Sequence, residues 1–554
     1  MIADRSPVAL WLDDFFAAYY ARRPVNATFI GVHTFDGMLP DHSENGAGDT
    51  LAGMQALVRR CPGPEQAGTR VERIDRELAL GFLRIQVREY ESHHFQRGNP
   101  CVYTGEAIFG VLALFLTDFA PFEQRLESAI LRLQATGALL EQGRVNVQTS
   151  PAEWIERARR ECAGAHAFLT EGVDLLAHEH AITAPAFRKA AGKAAAAFLA
   201  FRTYLEQELP SPAAGGHACG EELLGLYLRE GHGLDTDAEL IAMEAEKGLR
   251  ETQRRLSEHA TAIGASSIEQ ALERSATAHP PANQYYQRYA EVWSAMRDAA
   301  CAHELITWPD SPIRYVPRPP WARAAAPLLY FLNYRSPAIF HAPPVHEYLV
   351  PPLPDEPGSA VEPVLRANND SAITLNHVVH HGGLGHHIQN WHAGRAASRI
   401  GQIAAVDCAS RIALFCGGTM AEGWACYATE LMNEVGALSP LEQFAELHGQ
   451  LRMCARAVVD VRLHQGRFTF DQALAYYVEN AGMAYAAAHA EVVKNAMFPA
   501  TALMYRVGRD AIRQLRGECA ARAGAGFELR RFHDEFLSWG SIPVAWIARE
   551  MLAS

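Results

Sequence analysis

Apolar residues recur at every third or fourth position along most of this chain, and few segments alternate at period two over any length. Such a chain can bury its apolar stripes only by packing helix on helix, so the expected fold is mainly α. Start signals mark individual helices. Ser150-Pro151-Ala152-Glu153 offers a capping serine, a proline at the first helical position and a capping glutamate. Trp154, Ile155, Ala158, Cys162, Ala165, Phe168 and Leu169 follow at helical spacing, on towards Leu176. Pro185 opens an alanine-rich helix, and Thr236-Asp237-Ala238-Glu239 opens another towards Ile263, with Gly264 as its stop. Further starts stand at Asp471 and Thr501.

One region interrupts this pattern. Between Pro309 and Pro363 lie 14 of the 30 prolines, which no continuous helix tolerates. The stretch also holds Trp321, Tyr330, Phe331, Tyr334, Phe340 and Tyr348, with Trp308 just before it, too many aromatics for a solvated linker. We expect an ordered, extended segment with short strands, forming the wall of a deep cleft. The organisation expected is an N-terminal helical lobe over 1–306, this wall over 307–365 and a C-terminal helical lobe over 366–554, integrated as one domain.

Charge and cysteine usage narrow the function classes. Fifty basic against 63 acidic residues give a net charge of −13, which argues against a nucleic-acid partner but leaves room for a local basic pocket. The ten cysteines are scattered, with no C-x-x-C pair, and read as buried thiols of a reducing compartment. The longest apolar run, Ile108 to Leu116, is about half of what crosses a bilayer, and no secretory signal is legible. The expectation is a cytoplasmic protein without a membrane partner, its oligomeric state left open.

The chemistry concentrates in histidines. Eight of the 24 fall between His341 and His392, and the densest part runs from His377 through His380 and His381 to His386 and His387. A histidine taken singly is usually structural, but packing seldom asks for adjacent ones, and imidazole is the commonest metal ligand. On a regular helix His380 and His387 lie within about 20° of each other and His386 about 120° away. Gly382, Gly383 and Gly385 make a regular helix unfavourable. A bulge would put His386 beside His380 instead, and His377 with His381 is a third possible pair.

The run His380-His381-Gly382-Gly383-Leu384-Gly385-His386-His387-Ile388-Gln389 resembles the signature H-E-x-x-P-G-H-H-L-Q of the bacterial domain of unknown function 885. That family is similar in fold to helical zinc metallopeptidases of the thermostable-carboxypeptidase type. Further blocks carry the resemblance. They are Ala421 to Ala428 (E-G-W-A-L-Y-A), Arg452 to His464 (R-A-x-R-L-V-V-D-x-G-x-H), Pro499 to Gly508 (P-G-Q-A-L-x-Y-x-x-G), Phe532-His533-Asp534 and Gly540 to Pro543. The resemblance implies a large multi-helix, metallopeptidase-like fold and a metal site. Its ligands would be His380, His386 and Glu422, holding zinc or another divalent transition metal with one position open for water or substrate.

The chain departs from the family at the decisive residue. The signature glutamate, the general base of zinc peptidases, is His381 here, and the proline is Leu384. His381 is therefore the candidate base, with Glu347 as a substitute carboxylate. His387 and His464 are further catalytic candidates, the latter paired at i, i+4 with Asp460. Tyr505 is a candidate donor to an oxyanion, weighed against a core tyrosine. Among Arg452, Arg456, Arg509 and Arg513, one can bind a substrate carboxylate. Arg456 and Arg509, with Tyr348, are the candidate substrate contacts. Three readings follow: a metal-dependent hydrolase of a peptide, amide or small acyl substrate; a metal-dependent lyase or isomerase reusing the pocket; and a non-catalytic binding protein. Clustering favours an enzyme acting on a small molecule or short peptide.

Overall fold

The computed structural model describes residues 5–212, 215–323, 334–354, 360–409 and 411–553. Helix accounts for 69% and strand for 2%, so the chain is mainly α as expected. It divides into two compact units, each assembled from three separated stretches of sequence.

The first unit comprises Met1–Ala218, Arg318–Pro343 and Ser398–Leu414. Helices Phe122–Asn146 and Ala152–Ala167 both pack against Pro185–Gln207, and Trp154, Phe168 and Phe198 are buried in this unit. The stripe from Trp154 to Leu176 is one helical run that widens into a π-helical turn at Phe168–Gly172 before Val173–Glu179. Pro151, not Ser150, takes its N-cap position. Arg132 is wholly buried, and its guanidinium donates to Met38 O (2.9 Å), Pro24 O (3.1 Å) and Thr28 Oγ1 (2.7 Å). These acceptors offset the desolvation that a buried cation incurs. A two-residue antiparallel ladder pairs Asp407 with Ile412 and Cys408 with Arg411.

The second unit comprises Cys219–Pro317, Pro344–Ala397 and Phe415–Ser554. The segment 307–365, expected as one wall, thus contributes to both units. Its short strands are present: Ile313–Pro317 and His346–Val350 form a parallel pair, in register from Ile313↔His346 to Pro317↔Val350. Of its aromatics, Trp321, Tyr334 and Tyr348 are buried and Phe340 is exposed, while Tyr330 and Phe331 lie outside the described residues.

Helix Pro440–His464 is the spine of this unit, opened by a capping box of Ser439 and Glu442. Against it pack Ala238–Ala262, Phe470–Ala481 and Met504–Ala523. Asp237 caps the first of these, accepting from Glu239 N at 2.9 Å, and Gly264 follows it at a φ of +75°. Thr469 and Gln472 box the second. The third starts at Met504 rather than Thr501, because Asp460 holds the residues before it in a turn. Its carboxylate accepts from the N–H groups of Ala500 (3.0 Å), Ala502 (2.8 Å) and Leu503 (2.9 Å).

Helix Gly418–Glu434 crosses Met504–Ala523 at two glycines. A Cβ on Gly508 would stand 2.0 Å from Thr419 O, and one on Gly423 would stand 2.5 Å from the carbonyl carbon of Gly508. Only bare backbone permits this approach, and it fixes the depth at which Glu422, beside Gly423, is carried. Gly508→Ala should destabilise the protein by about 1–3 kcal/mol through overpacking. Gly517→Ala, on the same helix with open space around it, should instead be neutral or stabilising by about 0.5–1 kcal/mol. Urea unfolding of both variants checks the contrast; equal effects would remove the crossing from the account.

Candidate metal centre

The histidine run does not form a regular helix. Asn369 caps a first turn at Asp370–Ala372, and the chain continues as a π-helix over Ile373–Gly382. A break follows, and a new helix spans His386–Ala393. At the break Gly385 N donates to Val379 O (2.8 Å), and a Cβ on Gly385 would stand 2.1 Å from His380 O. Glycine thus lets the chain fold back across His380 and brings His386 beside it. Two tryptophans hold the turn: Trp293 Nε1 donates to Gly382 O (3.0 Å) and the fully buried Trp424 donates to Leu384 O (2.8 Å). Trp424 stands in a motif, but Trp293 lies about ninety residues upstream with no local signal of its role.

Four side chains of the second unit converge here. Ligand nitrogens of His380, His381 and His386 all lie within 4.8 Å of one another. Glu422 Oε2 is 3.4 Å from Nε2 of His380 and 3.4 Å from Nε2 of His386. That oxygen is buried and has no hydrogen-bond partner among the described residues. Burial, opposed by Glu422, lowers the pKa of His380. Burial and then the neighbouring His380 and His386 push His381 well below its ordinary value. Burial works against the Glu422 carboxylate, but the imidazoles of His380 and His386 outweigh it and hold the group well below the usual carboxylate range. His381 Nδ1 donates to Asn376 O at 2.6 Å, because a carbonyl can only accept, so its Nε2 carries the lone pair.

The remaining candidates are placed elsewhere. His387 is buried and its Nε2 meets Ser311 O (2.9 Å) and Ser311 Oγ (3.1 Å), so it is His386 that joins His380. His377 is held between Tyr348 Oη (2.6 Å) and Asn368 Oδ1 (2.9 Å), which also engages Tyr348, the expected substrate contact. His464 is a structural tether, wholly buried: Nδ1 accepts from Cys219 N (3.3 Å) and Nε2 donates to Asn495 O (3.0 Å). Glu347 pairs with Arg314 across the parallel strands on an exposed face, which removes it as the substitute carboxylate. Tyr505 packs with Cys426, Met453 and Met504, and the Arg456 guanidinium lies 4.6 Å from its ring centroid. Arg456 forks onto Glu491 through Nε and Nη2, both at 2.9 Å. Arg509 is held by Asp510 (2.6 Å) with Glu430 3.9 Å away.

His377 gives the centre's support a pH signature. Burial lowers its pKa from 6.5 to about 4. Between those values the unfolded chain binds the extra proton, so this contribution is complete above pH 6.5 and is lost as pH falls towards 4. Its share of the slope approaches about 1.4 kcal/mol per pH unit. Urea unfolding across that window should show a shallower pH dependence for His377→Gln than for the parent; parallel curves would contradict it.

Comparison with known proteins assigns the fold and the family. A family model described as a bacterial protein of unknown function (DUF885) matches residues 24–551. The solved structure of "a putative lipoprotein of unknown function" from Shewanella oneidensis aligns with a TM-score of 0.76 at 20% identity, covering 99% of this chain and all of that one. The crystal structure of "the putative lipoprotein" from Colwellia psychrerythraea aligns with a TM-score of 0.79 at 17% identity, covering 99% of each. No curated protein matches the chain. These matches bring no metallopeptidase relationship with them. The expectation of a cytoplasmic protein is corrected here, since both of these structural neighbours are described as putative lipoproteins and scattered buried thiols do not decide a compartment. No helix among the described residues is long and apolar enough to cross a membrane. With nearly its whole length matched by one model, the chain belongs to the DUF885 family.

Proposed function

We propose that this protein is a metal-dependent hydrolase of a peptide, amide or small acyl substrate, working in a metallopeptidase-like cleft of the second unit. The observation that carries the reading is the contact between Glu422 and two imidazoles. A buried carboxylate oxygen that makes no hydrogen bond among the described residues, yet lies 3.4 Å from two ring nitrogens, is the geometry that a shared cation would satisfy. His380, His386 and Glu422 are a donor set suited to zinc or another divalent transition metal. Such an ion would supply Lewis acidity toward the substrate carbonyl oxygen.

The chain's own residues do the rest. Asn376 O fixes His381 in the tautomer whose Nε2 accepts a proton from the attacking water. Tyr505, under the Arg456 cation, is the proposed donor to the developing oxyanion. The exchange of the signature carboxylate for His381 favours one second reading: a metal-dependent lyase or isomerase in which this imidazole only relays protons.

Elemental analysis of protein purified without added metal or chelator tests the reading. About one equivalent of zinc or a similar ion is expected. His380→Ala should lose it with an unchanged far-UV spectrum, and amide hydrolysis should stop on chelation and return with zinc. Protein that is metal-free and takes up no zinc would overturn the proposal. Metal-loaded protein inert towards amides and esters would leave the lyase or isomerase reading in its place.

A further inference from the structure

The helix Pro440–His464 carries two arginines one turn apart, Arg452 and Arg456. Arg456 is neutralised by its fork onto Glu491, and its guanidinium lies 4.6 Å from the ring of Tyr505, which packs with Cys426, one turn along the helix from Glu422. Arg452 has no such carboxylate. Its Nε is buried without a hydrogen-bond partner among the described residues. The groups acting on it include Arg456, Glu491, Tyr477 and Tyr505, and His448 lies one turn back on the same helix. Lys494 Nζ, 3.7 Å from Glu491 Oε1, draws on the same carboxylate. Three cations therefore share one anion. Asp460, two turns along the helix from Arg452, does not redress this, since its oxygens are committed to three backbone N–H groups. Arg509 differs, lying between Asp510 and Glu430.

An uncompensated guanidinium with a buried nitrogen is costly to keep and is relieved by an anion of matching shape. Burial and Arg456 already lower the pKa of Arg452. We propose that Arg452, beside the Glu491-anchored Arg456, binds a free carboxylate of the substrate. The substrate class is thereby an acid: a short peptide with a free C-terminus, or an N-acyl amino acid. The planar fork of arginine presents two parallel donors to the two oxygens of a carboxylate. The inference deepens the hydrolase reading by naming what is hydrolysed, yet carboxylate binding needs no turnover and can be measured apart from it.

Calorimetric titration with N-acetylphenylalanine and with its C-terminal amide is the test. The parent protein should bind the acid about tenfold or more tightly than the amide, the worth of a charge-assisted pair. Arg452→Gln should erase that preference, and Arg452→Lys, which keeps the charge but loses the fork, should retain part of it. His380→Ala should keep the preference even where metal is lost, so failure of the metal reading and failure of this one give different results. Equal affinity for acid and amide in the parent, no detectable binding of the acid, or a preference intact in Arg452→Gln and lost in His380→Ala would each overturn the proposal. The last outcome would put the carboxylate on the metal instead.

Discussion

A buried carboxylate oxygen held 3.4 Å from two imidazole nitrogens is an arrangement that the rest of the second unit is built to enforce. Three constraints bring it about. The Gly423–Gly508 crossing sets the depth of the helix bearing Glu422. The fold-back at Gly385 sets His386 against His380. The indole N–H groups of Trp293 and Trp424 fix the carbonyls of the turn between those histidines. Each is a backbone constraint rather than a flexible side-chain choice, which is how a donor set is kept ready for an ion.

Much of the helical architecture was legible because caps act locally. Asp237 and Asp471 mark their helices within a residue of where they begin. The start at Met504 was not, because Asp460, forty residues upstream, delays it by taking three N–H groups. Nor were the two discontinuous units, since the stretches joined in each are set by packing between distant residues. At the centre, His380, His386 and Glu422 could be proposed from the motif blocks. The choice of His386 over His387 could be reached only as an alternative, because it depends on the π-helix and on how the chain breaks after it. Ser311, which holds His387 away, comes from the proline-rich stretch and carries no sequence signal.

The exchange of the signature glutamate for His381 has a consistent physical consequence. A carboxylate beside a cation is an anionic base, whereas His381 is a partly buried imidazole whose pKa is lowered by desolvation and by His380 and His386. Its reach is also fixed by the bond to Asn376 O. The proposed chemistry would therefore lean more on polarisation of the substrate and on positioning than on a strong base. An arginine pair that anchors a substrate carboxylate would supply such positioning from outside the reacting groups.

X-ray absorption at the zinc edge, on zinc-loaded protein, tests the central claim most directly. The account predicts a first shell of two imidazole nitrogens at about 2.0–2.1 Å and carboxylate or solvent oxygen at about 2.0–2.2 Å, with the imidazole signal lost in a His380→Ala and His386→Ala double variant. A shell containing sulfur at about 2.3 Å, or one unchanged in the double variant, would place the ion elsewhere and contradict it.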